Sequence, residues 1–306
     1  MFIGLCRYRS RLHLLVLMLC VCTLTWSQPV AAAGPGIRIT PGANRFSFID
    51  EKGDPSKRMT VYTYLPKGLK PNTAPIAFVM HGHSKNAKGY RDRWSEHADT
   101  YGFMVIAPLF DAAQWGSGAY AYASISARDG QLRDASLWSF NVIEHLFDAI
   151  KKATGNPSDT YFIYGHSEGG QFVHRLVLFL PEARYTRAVV ANPGWYTMPK
   201  FDVKFPYGLA GSPATAESLR HSLGRDVVLV LGDRDTSPND ADLNKTPQAM
   251  AQGIHRFERG QTFFKEAQHR ATELQCAFGW RLQVVPGGTH SDRAMSRPAA
   301  AILMGR

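Results

Sequence analysis

The stretch Tyr161-Phe-Ile-Tyr-Gly-His-Ser-Glu-Gly-Gly170 constrains the fold of this chain more than any other. Residues Thr160–Tyr164 are mostly apolar and predict a short buried strand, and the apolar segment Phe172–Leu180 predicts a helix. The intervening Gly-x-Ser-x-Gly sequence is typical of a sharp turn that holds its serine clear of a sheet. Both glycines lack a Cβ, so strand and helix can pass close together there. The alternative is that these residues form an ordinary loop, in which Ser167 is only a turn residue.

The rest of the chain alternates between apolar runs and helical patterns. Strands are predicted at Met59–Tyr64, Ile76–Met80, Phe103–Ala107, Arg187–Ala191, Val227–Leu231 and Leu282–Val285. Helical segments are predicted at Ala135–Ala153, Gln171–Leu180, Gln248–Glu273 and Asp292–Met304, and residues 34–58 leave room for one edge strand. Most of the apolar runs are continuous, which indicates strands covered on both faces. The sequence therefore predicts an α/β fold with a mostly parallel central sheet and helices on both faces.

Two connections, Phe110–Leu132 and Trp195–Ser222, are too long to be simple turns. Long loops that leave the carboxyl ends of parallel strands usually shape a ligand site. We therefore expect aromatic side chains of these loops to bind substrate, namely Trp115, Tyr120, Trp195 and Tyr196. The alternative is ordinary surface structure with a few anchoring aromatics.

The N-terminus has the pattern of an export signal. Three arginines precede the apolar run Leu12–Leu24, and Ala31-Ala32-Ala33 supplies the small residues of a cleavage site. We predict a signal peptide over residues 1–33, a single domain over residues 34–306, and a periplasmic or secreted protein with no stable membrane anchor after cleavage. An uncleaved anchor is the alternative.

Composition excludes several classes of function. The chain has 35 basic and 25 acidic residues, and loss of three leader arginines leaves a net charge of +7, without a dense basic run. This predicts no nucleic-acid binding. His81 and His83 could chelate a metal, but no third ligand is evident, and no phosphate-loop pattern occurs, so neither a metal nor a cofactor is expected.

Of four cysteines only Cys276 lies outside the leader. Its partly apolar surroundings favour a packed side chain over a nucleophile.

Ser167 has candidate partners in the order that an activated serine requires. A serine hydroxyl becomes a good nucleophile when a histidine, oriented by a carboxylate, takes its proton. Asp235 follows a predicted strand, and His290 lies in a glycine-rich loop after the last one. Asp233 is the alternative acid. The alternative role for His290 is that of a loop histidine that only caps the terminal helix. We predict Ser167, Asp235 and His290 as the catalytic residues.

Two backbone N–H groups are predicted to bind the oxyanion of the tetrahedral intermediate. One belongs to Glu168, directly after the serine, and the other comes from the loop after strand Ile76–Met80. That loop reads His81-Gly82-His83-Ser84, and His83 is the candidate donor.

Four motifs together carry a family resemblance: Met80-His-Gly82, Gly165-His-Ser-Glu-Gly169, Gly232-Asp-Arg-Asp235 and Gly288-Thr-His290. Over roughly residues 59–304 the chain resembles the alpha/beta-hydrolase superfamily, and within it the secreted esterases similar to polyhydroxybutyrate depolymerases and feruloyl esterases. Depolymerases of that group often carry a cysteine beside the oxyanion glycine and a separate substrate-binding domain. This chain has His83 there and no room for such a domain, which favours a soluble ester over a polymer.

The expected function is that of a serine hydrolase that cleaves small-molecule or oligomeric carboxylic esters through an acyl-enzyme. One alternative is a serine peptidase acting on short peptides, because the same residues hydrolyse amides. Another is a non-catalytic binding protein with the same fold.

Overall fold

The computed structural model describes residues 36–127 and 129–306, which contain eight strands in one sheet of order β1-β2-β4-β3-β5-β6-β7-β8. The strands are β1 (Gly42–Ile49), β2 (Arg58–Leu65), β3 (Ile76–Met80), β4 (Met104–Leu109), β5 (Tyr161–His166), β6 (Tyr185–Ala191), β7 (Val227–Gly232) and β8 (Trp280–Val285). β2 pairs antiparallel with β1 and β4, and all pairs from β4 to β8 are parallel. The predicted mostly parallel α/β sheet is confirmed.

Helices cover both faces of this sheet. They are α1 (Ala87–Tyr101), α2 (Ala112–Ala121), α3 (Asn141–Thr154), α4 (Glu168–Phe179), α5 (Ala216–Gly224), α6 (Pro247–Met250), α7 (Arg256–Glu273) and α8 (Asp292–Leu303). One apolar cluster joins α1 and α8 to the sheet, and a larger one joins α3, α4, α5 and α7 to its other face. Along β3 the side chains alternate, with Phe78 in the larger cluster and Val79 in the smaller. Both faces are therefore buried, which explains the continuous apolar runs.

Three helices were not predicted. α1 is a polar helix that buries a narrow stripe, including Tyr90 and Trp94, and both predicted long loops contain helices. α2 lies in the first and is kinked at Gly116 (φ 62°), and α5 begins near the end of the second. The predicted helix Gln248–Glu273 is two helices, α6 and α7.

The predicted signal peptide lies outside the described residues. Among those described, none of the helices is both long and apolar enough to cross a membrane.

Candidate active site

A strained turn between β5 and α4 carries Ser167. Its backbone has φ 57° and ψ −117°, a conformation that is uncommon for residues other than glycine. The Ser167 N–H donates to the Ala191 carbonyl at 3.0 Å. A Cβ on Gly165 would collide with the Gly169 carbonyl, and one on Gly169 would collide with the Met80 carbonyl. The clearance predicted from the two glycines is therefore what this turn requires.

The structure brings Ser167, His290 and Asp235 together from the ends of three parallel strands. The Nε2 atom of His290 lies 3.0 Å from Ser167 Oγ, and its Nδ1 atom lies 2.7 Å from Asp235 Oδ2. Since the ionised carboxylate can only accept, Nδ1–H donates to Asp235. That tautomer leaves the Nε2 lone pair facing the serine hydroxyl. The arrangement can move a proton from Ser167 to His290 while Asp235 stabilises the resulting imidazolium.

The rival aspartate has a different position. Asp233 Oδ1 accepts the Gly287 N–H at 2.7 Å and thereby closes the glycine-rich turn that leads to His290. Cys276, the other candidate nucleophile, is half-buried and packs against the larger apolar cluster. Neither residue lines the cleft that holds Ser167.

Arg256, at the start of α7, is an additional partner of Asp235 that the sequence analysis missed. Its side chain is only 2% exposed and reaches Asp235 Oδ1 at 3.5 Å and Asp240 Oδ1 at 2.9 Å. The hydrogen bond from Arg256 lowers the pKa of Asp240 to about 2. The guanidinium therefore holds the second oxygen of the Asp235 carboxylate while the first receives His290. No local sequence signal marks it, because Arg256 lies 21 positions beyond Asp235.

The two predicted oxyanion donors lie beside Ser167. Glu168 is the first residue of α4, so its N–H has no partner within the helix and lies at the positive end of the helix dipole. The N–H of His83 makes no backbone hydrogen bond within residues 36–127 and 129–306. Both residues line the same cleft as Ser167. An oxyanion formed there would meet two unpaired donors.

A buried network fixes the loop that carries His83. His81 Nδ1 donates to the Gly82 carbonyl at 3.0 Å, and its Nε2 accepts the Phe110 N–H at 3.2 Å. The Tyr120 hydroxyl donates to the His81 carbonyl at 2.7 Å. Burial lowers the pKa of His81 to about 3, so its ring stays neutral. Tyr120 itself is fully buried and supports this loop; the prediction that it contacts substrate is therefore corrected.

His166, immediately before the nucleophile, is a further buried neutral histidine. Its Nδ1 atom lies 2.9 Å from the Tyr90 hydroxyl, and its ring centroid lies 5.0 Å from that of His290. Burial, reinforced by the nearby His290, lowers the pKa of His166 well below its usual value. Because His166 stays neutral, it adds no positive charge against an imidazolium on His290.

The carboxylate of Glu168 is paired at the edge of the site. Its Oε2 atom lies 2.6 Å from the ammonium of Lys85, a residue of the loop that also carries His83. The Lys85 ammonium also lies 4.4 Å from the centre of the Tyr120 ring. Left unpaired, the carboxylate would place a negative charge next to the oxyanion site, so Lys85 both ties the loop to α4 and neutralises that charge.

Ser167 and His290 open into a cleft of about 450 Å³. Its other lining residues are His83, Ala121, Tyr122, Glu168, Gln171, Gly194, Trp195, Asp242, Asn244 and Arg256. Of the predicted substrate-binding aromatics, Trp195 lines this cleft and Trp115 lines a neighbouring groove. Tyr196 is fully buried and stacks on Phe263 at 4.4 Å, so its predicted contact with substrate is also corrected. Among the residues that the structure describes, no three His, Cys, Asp or Glu side chains are placed to hold a metal ion.

Two solved structures share this fold at substantial sequence identity. Poly(aspartic acid) hydrolase-1 from Sphingomonas sp. KT-1 is 41% identical, covers 87% of this chain and 99% of its own, and superposes with a TM-score of 0.83. Poly(3-hydroxybutyrate) depolymerase from Bordetella parapertussis is 33% identical, with 87% of this chain and 91% of its own covered and a TM-score of 0.82. The chain belongs to the alpha/beta-hydrolase superfamily. The resemblance inferred from its four motifs is confirmed.

A more distant alpha/beta-hydrolase shares the fold alone. S-formylglutathione hydrolase from Staphylococcus aureus is 13% identical, covers 89% of this chain and 98% of its own, and has a TM-score of 0.54. No protein-family model matches the sequence. No curated protein matches it either.

Proposed function

We propose that this alpha/beta-hydrolase cleaves carboxylic esters through an acyl-enzyme on Ser167. The observation that carries the proposal is the continuous hydrogen-bonded chain from Ser167 Oγ through His290 to Asp235. Three side chains from distant parts of the sequence reach that arrangement at a strained turn in an open cleft. Such a chain of contacts activates a serine hydroxyl for attack on a carbonyl carbon.

The reaction follows from the positions of these groups. As Ser167 Oγ attacks the carbonyl carbon, its proton passes to His290 Nε2 and the carbonyl oxygen becomes an oxyanion. The N–H groups of Glu168 and His83 bind that oxyanion. His290 then donates the proton to the departing alcohol, which leaves the acyl group on Ser167. A water molecule, deprotonated by His290, repeats the attack and releases the acid.

Hydrolysis of an amide is the second candidate. The observation that favours it is the 41% identity with a protein named poly(aspartic acid) hydrolase-1. The same steps cleave an amide when His290 protonates a departing amine. This candidate includes the serine peptidase acting on short peptides, while a non-catalytic binding protein is disfavoured by the intact chain of hydrogen bonds.

A matched pair of substrates tests these candidates. We expect purified mature protein to hydrolyse an ester of p-nitrophenol with a higher kcat/KM than the corresponding p-nitroanilide. A fluorophosphonate probe should label Ser167, and Ser167→Ala should remain unlabelled. Higher kcat/KM for the anilide would favour the amide candidate. Absence of both labelling and turnover would favour a non-catalytic binding protein.

We also propose that the enzyme acts after export to the periplasm or beyond. Support comes from the three arginines, the apolar run Leu12–Leu24 and the alanines that end at Ala33. N-terminal sequencing of the exported protein should begin close to Gly34, and a full-length protein retained in the membrane would contradict this proposal.

A further inference from the structure

A second groove lies beside the catalytic cleft, between the same two long connections. It has a volume of about 860 Å³ and shares Tyr122 with the cleft. One wall comes from Trp115 and the segment that follows it, and the opposite wall comes from Lys204, Phe205 and Pro206. The groove therefore adjoins the cleft at Tyr122, and a chain that occupied both spaces would pass that ring.

The charge of this groove is wholly of one sign. Lys57, Arg133 and Lys204 line it, and no acidic side chain within the described part of the protein does. Arg133 and Lys204 are exposed and form no ion pair with any described residue. Lys57 lies 3.1 Å from Asp54, a residue outside the lining, and its ammonium is 4.9 Å from the centre of the Trp115 ring. Three cations thus line one space, and two of them, Arg133 and Lys204, have no carboxylate partner among the described residues.

Trp115 forms part of the groove wall, and its side chain is 6% exposed. Its indole nitrogen is buried, so the ring offers the groove an apolar surface and not a donor. Trp115 and Phe205 together give the groove an apolar surface on which the methylene groups of a chain can lie. The groove therefore presents cations and apolar surface to the same occupant.

We propose that this cationic groove binds a carboxylate-bearing segment of the substrate, so that the enzyme acts on acidic oligomers or polymers. The inference rests on the proposed function, since the segment must belong to a chain that Ser167 cuts. Neutral chains would gain nothing from the unpaired Arg133 and Lys204, whereas carboxylates are the anions that ammonium and guanidinium groups pair with. A phosphate chain would fit the charge but would bring no acyl carbon to Ser167.

Binding of a defined polymer to a catalytically inactive protein tests the proposal. Fluorescently labelled poly(aspartic acid) is titrated into the Ser167→Ala variant, with and without the groove pair Arg133→Glu and Lys204→Glu. The control pair is Lys67→Glu and Lys152→Glu, which changes net charge by the same amount. Both control lysines are exposed. Lys67 follows the end of β2, which lies beside the start of β4, and Lys152 lies in the last turn of α3.

We expect the groove pair to raise the Kd by at least about tenfold and the control pair by less than about twofold at low salt, because close charges act locally while distant ones are screened. A neutral polymer with the same backbone, poly(hydroxyethyl aspartamide), should bind the unmodified groove far more weakly than poly(aspartic acid). This second comparison needs no groove variant, so it holds even where a charge reversal disturbs folding.

Equal weakening by both pairs, or equal binding of the acidic and neutral polymers, would overturn the cationic groove as a substrate site. The outcome for the proposed function is separate. A wild-type enzyme without ester or amide hydrolysis, but with groove-dependent binding, would contradict the proposed function and support the groove. If the enzyme is active but the groove pair changes its hydrolysis of acidic and neutral substrates equally, the proposed function stands and the groove is contradicted as a substrate site.

Discussion

At the scale of single residues, the candidate site consists of neutral histidines around a small number of well-paired charges. Asp235 is 4% exposed, yet it accepts from His290 with one oxygen and faces Arg256 with the other. The neighbouring Asp233 caps a turn with its carboxylate. Two aspartates that are two positions apart in the sequence therefore have different roles, and substitutions should separate them.

We expect Asp235→Asn to lower kcat by about three to four orders of magnitude, because an amide favours the wrong tautomer of His290 and removes the charge that stabilises the imidazolium. Asp233→Asn should lower kcat far less, because an amide oxygen can still accept the Gly287 N–H. Steady-state hydrolysis of a p-nitrophenyl ester measures both. The reverse ranking would show that Asp233 is the acid.

The ion pair between Lys85 and Glu168 predicts different losses of activity when its positive or its negative partner is removed. Lys85→Met removes the ammonium and leaves the Glu168 carboxylate with only the His83 ring nearby, its Nδ1 atom 3.6 Å from Oε2. The variant should lower kcat by roughly tenfold or more, with little change in KM. Glu168→Gln removes the charge itself and should cost much less. The double variant should therefore be more active than Lys85→Met alone. If the pair acts only as a mechanical tie between loop and helix, all three variants would lose the same activity.

Sequence reasoning found the residues whose position follows from a strand end, and missed those brought in by packing. Ser167, Asp235 and His290 each follow a strand, and parallel strands end at one edge. Arg256 and Lys85 reach the site from the start of a helix and from a loop, without a local pattern. Tyr120 and Tyr196 were assigned to substrate because they lie in long connections, but a connection can bury its aromatics as a core does.

At the scale of elements, the buried strands were the most predictable. β3 matches the predicted Ile76–Met80, and most other predicted strands are displaced by only one or two residues. α1 was missed because its buried stripe is narrow and interrupted by polar residues, including the buried Arg91. α2 was missed because its sequence contains two glycines, one of which forms the kink. Helices whose buried face depends on partners far along the chain carry a weak local signal.

The close passage of β5, α4 and β3 predicts an intolerance of side chains at Gly169. A Cβ at this position would collide with the Met80 carbonyl, a backbone group that a rotamer change cannot move. We expect Gly169→Ala to lower the free energy of unfolding by about 1–3 kcal/mol or more. The matched control is Gly118→Ala in α2, where a Cβ would meet nothing within 4 Å. Urea unfolding measures both, and equal stability of the two variants would show that the turn adapts.

At the scale of the whole molecule, buried neutral histidines predict the dependence of stability on pH. Burial lowers the pKa of His81 to about 3 and holds those of His166 and His174 well below the usual value. The unfolded chain binds protons on these rings below about pH 6.5, whereas the folded chain does not. Their stabilising contribution is therefore fully present above that pH and is lost as the pH falls.

For His81 the expected loss between pH 6.5 and 5.5 is about 1 kcal/mol, and His166 and His174 act in the same direction. Urea unfolding at pH 7.5 and 5.5 measures the combined effect. Equal or greater stability at pH 5.5 would contradict the assignment of neutral buried rings.

The central claim is that Ser167 forms a covalent acyl-enzyme. Intact-mass spectrometry after a short pulse of p-nitrophenyl ester measures it directly. We predict one acyl adduct on the wild-type protein, mapped by peptide analysis to Ser167, and none on Ser167→Ala, whose turnover should fall by roughly a million-fold. An adduct that persists on Ser167→Ala, or that maps to Cys276 or Ser84, would contradict the account.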